Sequence, residues 1–336
     1  MAAYIIRRVM GAVLLLLVVS AVTFAIFFLV PRLGGQTATQ LATQYVGKDA
    51  NPESIAAVKR NLGFDQPIYL QYWNYIKGLV VGAEYKFGPD VSTCNAPCFG
   101  YSFKNHVEVW PQLLQRIPVS FSLAVGAAVI WVISGVTIGV VSALRKGSPI
   151  DRISMIIALA GVSLPIFFTG QVINALFVYE IPVWDSVEYI PFTENPADWA
   201  WHLVLPWISL AFLFSALYAR LTRAGMLETM GEDYIRTARA KGLRERTVVT
   251  KHGLRATLTP IVTIFGMDFG LLVGSAVLTE TVFGLQGIGA YAIQAIRDND
   301  LPIVMGVTLV AAFFIVFCNL VVDVVYAAID PRVRYS

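Results

Sequence analysis

Six stretches of this sequence are apolar almost throughout, at residues 9–30, 119–144, 153–179, 203–218, 258–279 and 303–328. A helix rises about 1.5 Å per residue, so the first run is about 33 Å long, enough to cross the hydrocarbon core of a bilayer. A cleaved signal peptide has an apolar region of only about 7–15 residues, so this run reads as a retained span. The pattern predicts six transmembrane helices, the fourth of them short. Polar residues between the runs sort by sign. Arg7 and Arg8 precede the first run, and Arg145 and Lys146 follow the second. Arg220, Arg223, Arg236, Arg239, Lys241, Arg244, Arg246, Lys251 and Arg255 crowd the stretch around and between the fourth and fifth. Residues 180–202 carry Glu180, Asp185, Glu188, Glu194 and Asp198 and no lysine or arginine. Basic loops face the cytoplasm, so both termini, the second with Arg332 and Arg334, are expected there.

The segment 31–118 alternates in polarity and is the one stretch expected to form an extracytoplasmic subdomain. Asn51-Pro52-Glu53 has the order of a helix cap, a first-turn proline and a first-turn acid, and Ile55, Val58 and Leu62 share one face before Gly63. A second helical run after Asp65-Gln66-Pro67 carries Tyr69, Tyr72, Trp73, Tyr75 and Ile76, an aromatic face suited to the membrane interface. Cys94-Asn95-Ala96-Pro97-Cys98 falls on the side where disulfides persist. An intraloop disulfide, two free thiols and a metal or redox site are all open for this pair. Cys318, inside an apolar run, reads as a small core residue. The chain thus divides into a cytoplasmic N-terminus with the first span (1–30), the extracytoplasmic segment (31–118), and a five-helix core (119–336) with a cytoplasmic loop at 220–256.

Composition closes off other classes. A chain of 336 residues that is 57% hydrophobic and 14% charged, with mean hydropathy +0.66, is too apolar for a soluble domain of this size. His106, His202 and His252 fall in three different regions, and no Cys/His cluster has zinc-site spacing. The only Gly-Lys pair, Gly47-Lys48, is followed by Asp49, so no nucleotide-binding loop is present. Neither His-Glu-x-x-His nor Gly-x-Ser-x-Gly occurs. The chain reads as a conduit or scaffold without catalytic residues, cofactor or metal of its own. Asp268, near the middle of the fifth run, is costly unless it meets a partner or a wet cavity. It either faces a translocation path and a substrate ammonium group, or is a neutralised or hydrogen-bonded structural residue near Asn174. Ion-coupled transport and a non-transporting scaffold are the alternatives from other classes; the first would need more intramembrane ionisable groups and usually internal repeats.

The polar stretch 232–260 gives these spans a focus. Asp233 to Lys241 has helix-forming composition and stops at Gly242, suited to the position just past a helix end, and Val248 and Val249 give a second helical run its apolar side. Two short helices joined at a glycine are expected to form a compact cytoplasmic knob.

The order Glu232-Asp233-Tyr234-Ile235-Arg236-Thr237-Ala238-Arg239-Ala240-Lys241-Gly242-Leu243 resembles the cytoplasmic loop of ABC-importer permeases. Where such permeases in general carry Glu-Ala-Ala six residues before the glycine, this chain has Arg236-Thr237-Ala238, a departure that is similar to the dipeptide/oligopeptide/nickel branch. Leu62-Gly63-Phe64-Asp65-Gln66-Pro67-Ile68-Tyr69, the glycine-rich run from Thr279 to Gly289, and the C-terminal Asn319 to Asp323 and Ala328 to Arg334 resemble the first permease subunit of that branch. The likeness fades between Glu84 and Cys98, which looks like an insertion.

That resemblance implies an all-α membrane protein working as half of a translocation path. It implies a homologous permease, two cytoplasmic ATPase subunits that would carry ATP and Mg, and an extracytoplasmic solute-binding protein as partners, within a lipid bilayer and without nucleic acid. The knob would enter an ATPase cleft, with Gly242 at the turn, Ala238 and Ala240 allowing close approach, and Arg236, Thr237, Arg239 and Arg244 making polar contacts. Short peptides are the expected cargo; nickel chelates, glutathione and other small solutes are the branch's other cargoes.

Overall fold

A computed structural model describes residues 2–46, 51–87, 90–181, 183–184 and 186–329. Gly47-Lys48-Asp49, Asp185 and the C-terminal Asp330-Pro331-Arg332-Val333-Arg334 lie outside the described residues. Helix α1 (Ala2–Phe24) runs through a π-helical stretch, Ala25–Leu29, into α2 (Val30–Leu33), so that Ile5–Leu33 forms one candidate span. Short helices follow: α3 (Ala38–Val46), α4 (Pro52–Asn61) and α5 (Ile68–Val81). The expected cap at Asn51 is present: its carboxamide oxygen accepts the Ser54 N–H at 2.7 Å, and Ser54 Oγ accepts the Asn51 N–H at 3.2 Å.

Residues 83–87 and 90–94 form a β-hairpin. Strands β1 (Ala83–Phe87) and β2 (Asp90–Cys94) pair antiparallel, and β3 (Tyr101–Ser102) pairs with β4 (Val107–Glu108). These strands are short and have no long alternating pattern, which is why the apolar runs do not reveal them. The described residues otherwise form helices and connecting turns and loops.

Helix α6 (Val109–Leu144) begins ten residues before its apolar run because Pro118 is accommodated inside the helix rather than starting it. The third run is broken: α7 (Pro149–Ser163) and α8 (Ile166–Asn174), which continues as a π-helical stretch Ala175–Glu180, meet at 103°. Pro165 sits at the break, where it lacks an N–H and forces Leu164 into an extended conformation. Helix α9 (Pro196–Thr229) is 34 residues long, so the fourth span is not short. Its ends are polar and escape a search for apolar runs: Asn195 caps the Ala197 and Asp198 N–H groups, while Arg220 and Arg223 extend the far end. Next come α10 (Asp233–Ala240), α11 (Glu245–Thr247), a π-helical stretch Val248–Leu254, α12 (Arg255–Ser275), α13 (Val277–Val282), α14 (Ile288–Arg297) and α15 (Leu301–Ile329). Among the described residues five helices are long and apolar enough to cross a membrane, and six spans result if the bent α7–α8 pair is one of them.

The chain divides into two compact units. One comprises Ala2–Ser120 and Gln286–Val316. Its core stacks Phe24 on Phe28 at 4.4 Å between ring centroids and sets Tyr45 edge-on to Phe64 at 5.6 Å, beside Leu41 and Val58. Arg32 donates to the Phe64 carbonyl at 2.9 Å and to Gln71 Oε1 at 3.2 Å, tying the end of the first span to the turn before α5. Asp300, just ahead of α15, accepts hydrogen bonds from the Ser102 hydroxyl and, at 3.0 Å, from Asn105 Nδ2; Lys104 Nζ donates to the carbonyls of Asp298 and Asn299.

The other unit holds Phe121–Leu285 and the chain from Phe317 onward. Here α6 and α9 approach closely across the small residues Gly135 and Gly139. A Cβ at Gly139 would lie 2.7 Å from the Ala219 carbonyl oxygen, and one at Gly135 would lie 2.7 Å from Tyr218 Cβ. Ser134 and Ser215 hydroxyls meet across this seam at 2.6 Å. Asp151, 4% exposed, is held by Arg223 through Nε at 2.6 Å and Nη2 at 2.8 Å, by the Ser142 hydroxyl, and by the Gly147 N–H at 2.9 Å.

Candidate functional site

The knob is built from an amphipathic helix on a short apolar seat. Ile235 and Ala238, three residues apart on α10, point inward and pack with Val248 and Met230. Below them, Val249 joins Ala143 of α6 and Met226 of α9. After Ala240 the helix ends in a paired closure: Gly242 N–H bonds the Arg239 carbonyl at 2.9 Å and Leu243 N–H bonds the Ala238 carbonyl at 3.4 Å. This is the Schellman arrangement, which requires the residue past the cap to be left-handed, and Gly242 has φ +74°.

Across that turn Arg239 grips Glu245 with two hydrogen bonds, Nη2 to Oε1 at 2.7 Å and Nε to Oε2 at 3.1 Å. Arg236 reaches Asp233 at 3.3 Å on its own helix. Arg244 is exposed and has no ion-pair partner among the described residues. Thr237, Ala240 and Gly242 are exposed as well. Of the residues expected to meet a partner, only Ala238 turns the other way. It is 6% exposed, because a helix of this length must bury one face to stay on the protein. Sequence reasoning missed Tyr234 and Leu243, respectively 47% and 40% exposed, two large side chains left open on the knob; their place in an otherwise polar stretch was the available signal.

The second short helix is not separate. Glu245–Gly274 is one continuous candidate span of 30 residues, wound as α11, the π-helical stretch and α12 in succession. The knob is therefore α10 alone, set between two long helices, with its loop running directly into the fifth span.

Asp268 lies within α12, half-buried, and accepts a hydrogen bond from the Tyr218 hydroxyl of α9 at 2.9 Å. Asn174, the last residue of α8, makes no hydrogen bond to it, so the expected pairing with Asn174 is replaced by one with Tyr218. The apolar-run reading hid that partner by counting Tyr218 as the last residue of a span. Aromatic rings gather nearby: Trp131 of α6 stacks on Phe214 at 4.7 Å and lies 6.2 Å from Tyr218 and 5.9 Å from Phe265, while Phe265 stacks on Phe269 at 5.6 Å. Cys94 and Cys98 are bridged, with Cα atoms 5.6 Å apart and both side chains buried. Among the described residues no group of His, Cys, Asp and Glu could hold a metal ion.

The family model described as "Binding-protein-dependent transport system inner membrane component" matches residues 135–335, and its companion for the N-terminal part of such components matches residues 1–124. The chain is 37% identical over 336 residues to a provisionally named peptide transport system permease protein of Brucella abortus (strain 2308), with all of both chains covered. It is 36% identical over 355 residues to the dipeptide transport system permease protein DppB of Alkalihalophilus pseudofirmus, again with full coverage of both. To the glutathione transport system permease protein GsiC of Escherichia coli (strain K12) it is 34% identical over 333 residues, 99% of each chain.

Proposed function

Because the chain belongs to the binding-protein-dependent transport system inner membrane components, we propose that it is one permease subunit of an ATP-driven importer of short peptides. It is a multi-pass protein of the inner membrane and works with other transporter subunits. In the proposed assembly a homologous permease completes the path. Two cytoplasmic ATPases with ATP and Mg sit beneath, and an extracytoplasmic binding protein delivers cargo. The names of the similar proteins support a peptide cargo, since glutathione is itself a small peptide.

The observation that carries the mechanism is α10, a short helix with one face seated on Val248 of the π-helical stretch and on Met230 at the end of α9, and the other exposed. An exposed helix face of this kind fits a groove on a partner. Closing of an ATPase pair around α10 would move it as a body, and because its loop continues into the fifth span, that span would move too. The spans would then rock between two access states, the bistable element that coupling requires. Nucleotide chemistry belongs to the partners in this scheme; this chain transmits motion and lines the path.

Purification from native membranes in mild detergent tests the reading. A second six-span permease and ATPase subunits should come with the chain at about equal amounts. Isolation of the chain alone, from membranes that contain those ATPases, would overturn it.

A further inference from the structure

The unit built on α6, α9 and α12 contains two carboxylates that are treated in opposite ways. Asp151 receives its counter-charge from the same chain, with both oxygens engaged by Arg223 and further hydrogen bonds from Ser142 and Gly147. Asp268 receives one neutral donor, the Tyr218 hydroxyl, on a single oxygen. Among the described residues no lysine, arginine or histidine pairs with it, and its side chain is only half-buried. A carboxylate within a span that its own chain neither neutralises nor covers marks a partner or a substrate pathway.

Its surroundings indicate which chemistry would satisfy it. Trp131 is fully buried, whereas Phe265, one helical turn from Asp268 on α12 and stacked on Phe269, is partly exposed and offers a ring close to the carboxylate. A cation is drawn to the face of such a ring, most strongly where water is excluded. The Tyr218 hydroxyl takes one acceptor position on Oδ2 and leaves Oδ1 free, and an ammonium, with three divergent N–H groups, needs only one oxygen. A hard divalent cation would need several more oxygen ligands, and the neighbouring rings supply none.

We infer that Asp268, Tyr218 and the Phe265 ring form a passing point for an ammonium group, the free amino terminus of a peptide cargo, within the membrane-spanning part of the chain. The inference rests on the peptide-importer reading and deepens it. Contact there must be loose enough to release the cargo onward, so the site lowers a barrier to passage instead of storing the ligand.

The test is uptake by cells making the complete transporter, with radiolabelled dipeptide and its N-acetylated form at saturating concentration, and with the membrane level of each variant measured. D268N should slow uptake of the free dipeptide about tenfold, the scale of one charge-assisted hydrogen bond, while D268E retains most of the rate. N-acetyl dipeptide should move equally through wild type and D268N. F265L, which keeps an apolar side chain but removes a ring face, should slow the free dipeptide about threefold and serves if D268N does not reach the membrane. Wild-type rates in D268N, equal losses for both cargoes, or an F265L variant that is unaffected would overturn the inference and leave the importer reading standing. A wild-type transporter that imports no free dipeptide would overturn both.

Discussion

Arg239 and Glu245 face each other across Gly242 and are joined by two hydrogen bonds of 2.7 and 3.1 Å. Together with the Leu243-to-Ala238 backbone bond they fix the exit of α10 without a large core. The open space around Gly242 separates two effects of substitution. No atom lies within 4 Å of a Cβ placed there, so the cost of G242A is the left-handed backbone alone, about 1 kcal/mol. G242A should reach the membrane and keep partial uptake, whereas G242W should reach the membrane and abolish uptake by blocking a partner groove. Immunoblotting of membranes beside peptide uptake distinguishes them, and normal uptake by G242W would count against docking.

The Asp151–Arg223 pair offers a cleaner probe of packing. R223A strands a carboxylate that is 4% exposed, whereas D151N/R223A removes the stranded charge. Thermal aggregation in detergent should begin at a clearly lower temperature for R223A than for the double variant. If the double variant is the less stable of the two, the hydrogen bonds of Ser142 and Gly147 suffice to hold the Asp151 carboxylate without Arg223.

Asp300 should give the unit of Ala2–Ser120 and Gln286–Val316 a pH dependence. Burial raises its pKa above the ordinary aspartate value, against the opposing hydrogen bonds of Ser102, Asn105 and the Ile303 N–H. The folded state then holds the proton more tightly than the unfolded state. The stabilisation is complete below the unfolded pKa and is lost as pH rises through the folded one. Melting followed across mildly acidic pH should therefore show stability falling upward through that window in wild type, with the slope absent in D300N.

For the cysteines the expected outcome is chemical. Alkylation of the denatured protein without reductant should label Cys318 alone, and reductant should raise the count to all three cysteines. Labelling of Cys94 and Cys98 without reductant would exclude the bridge.

Much of this fold could be read from the chain because membrane spans are long and their signal is strong. The cap at Asn51 and the left-handed turn at Gly242 were legible for a different reason, since each needs a residue type that few alternatives supply. The ends of α6 and α9 were not, because polar side chains such as Arg116 and Arg223 lie on helices that continue past the apolar runs. Local pattern cannot show which residue a side chain will meet from a distant segment. Tyr218 lies 50 positions from Asp268, and only packing at the glycine-lined seam between α6 and α9 fixes its place. The inward turn of Ala238 depended likewise on Val248 and Met230, neither of which the helix's own composition reveals.

The unbroken winding from Glu245 to Gly274 leaves little slack between the turn at Gly242 and the Asp268 carboxylate. Asp268 stands about 35 Å along the rod from Glu245. A loop at this junction would absorb a displacement of α10; a rod must tilt, slide or rewind. Rewinding has an obvious place, the seven π-helical residues Val248–Leu254, whose wider turns can tighten to α winding. Such a change would swing the Asp268 carboxylate around the axis relative to Arg239 and Glu245, turning a push at one end into rotation at the other.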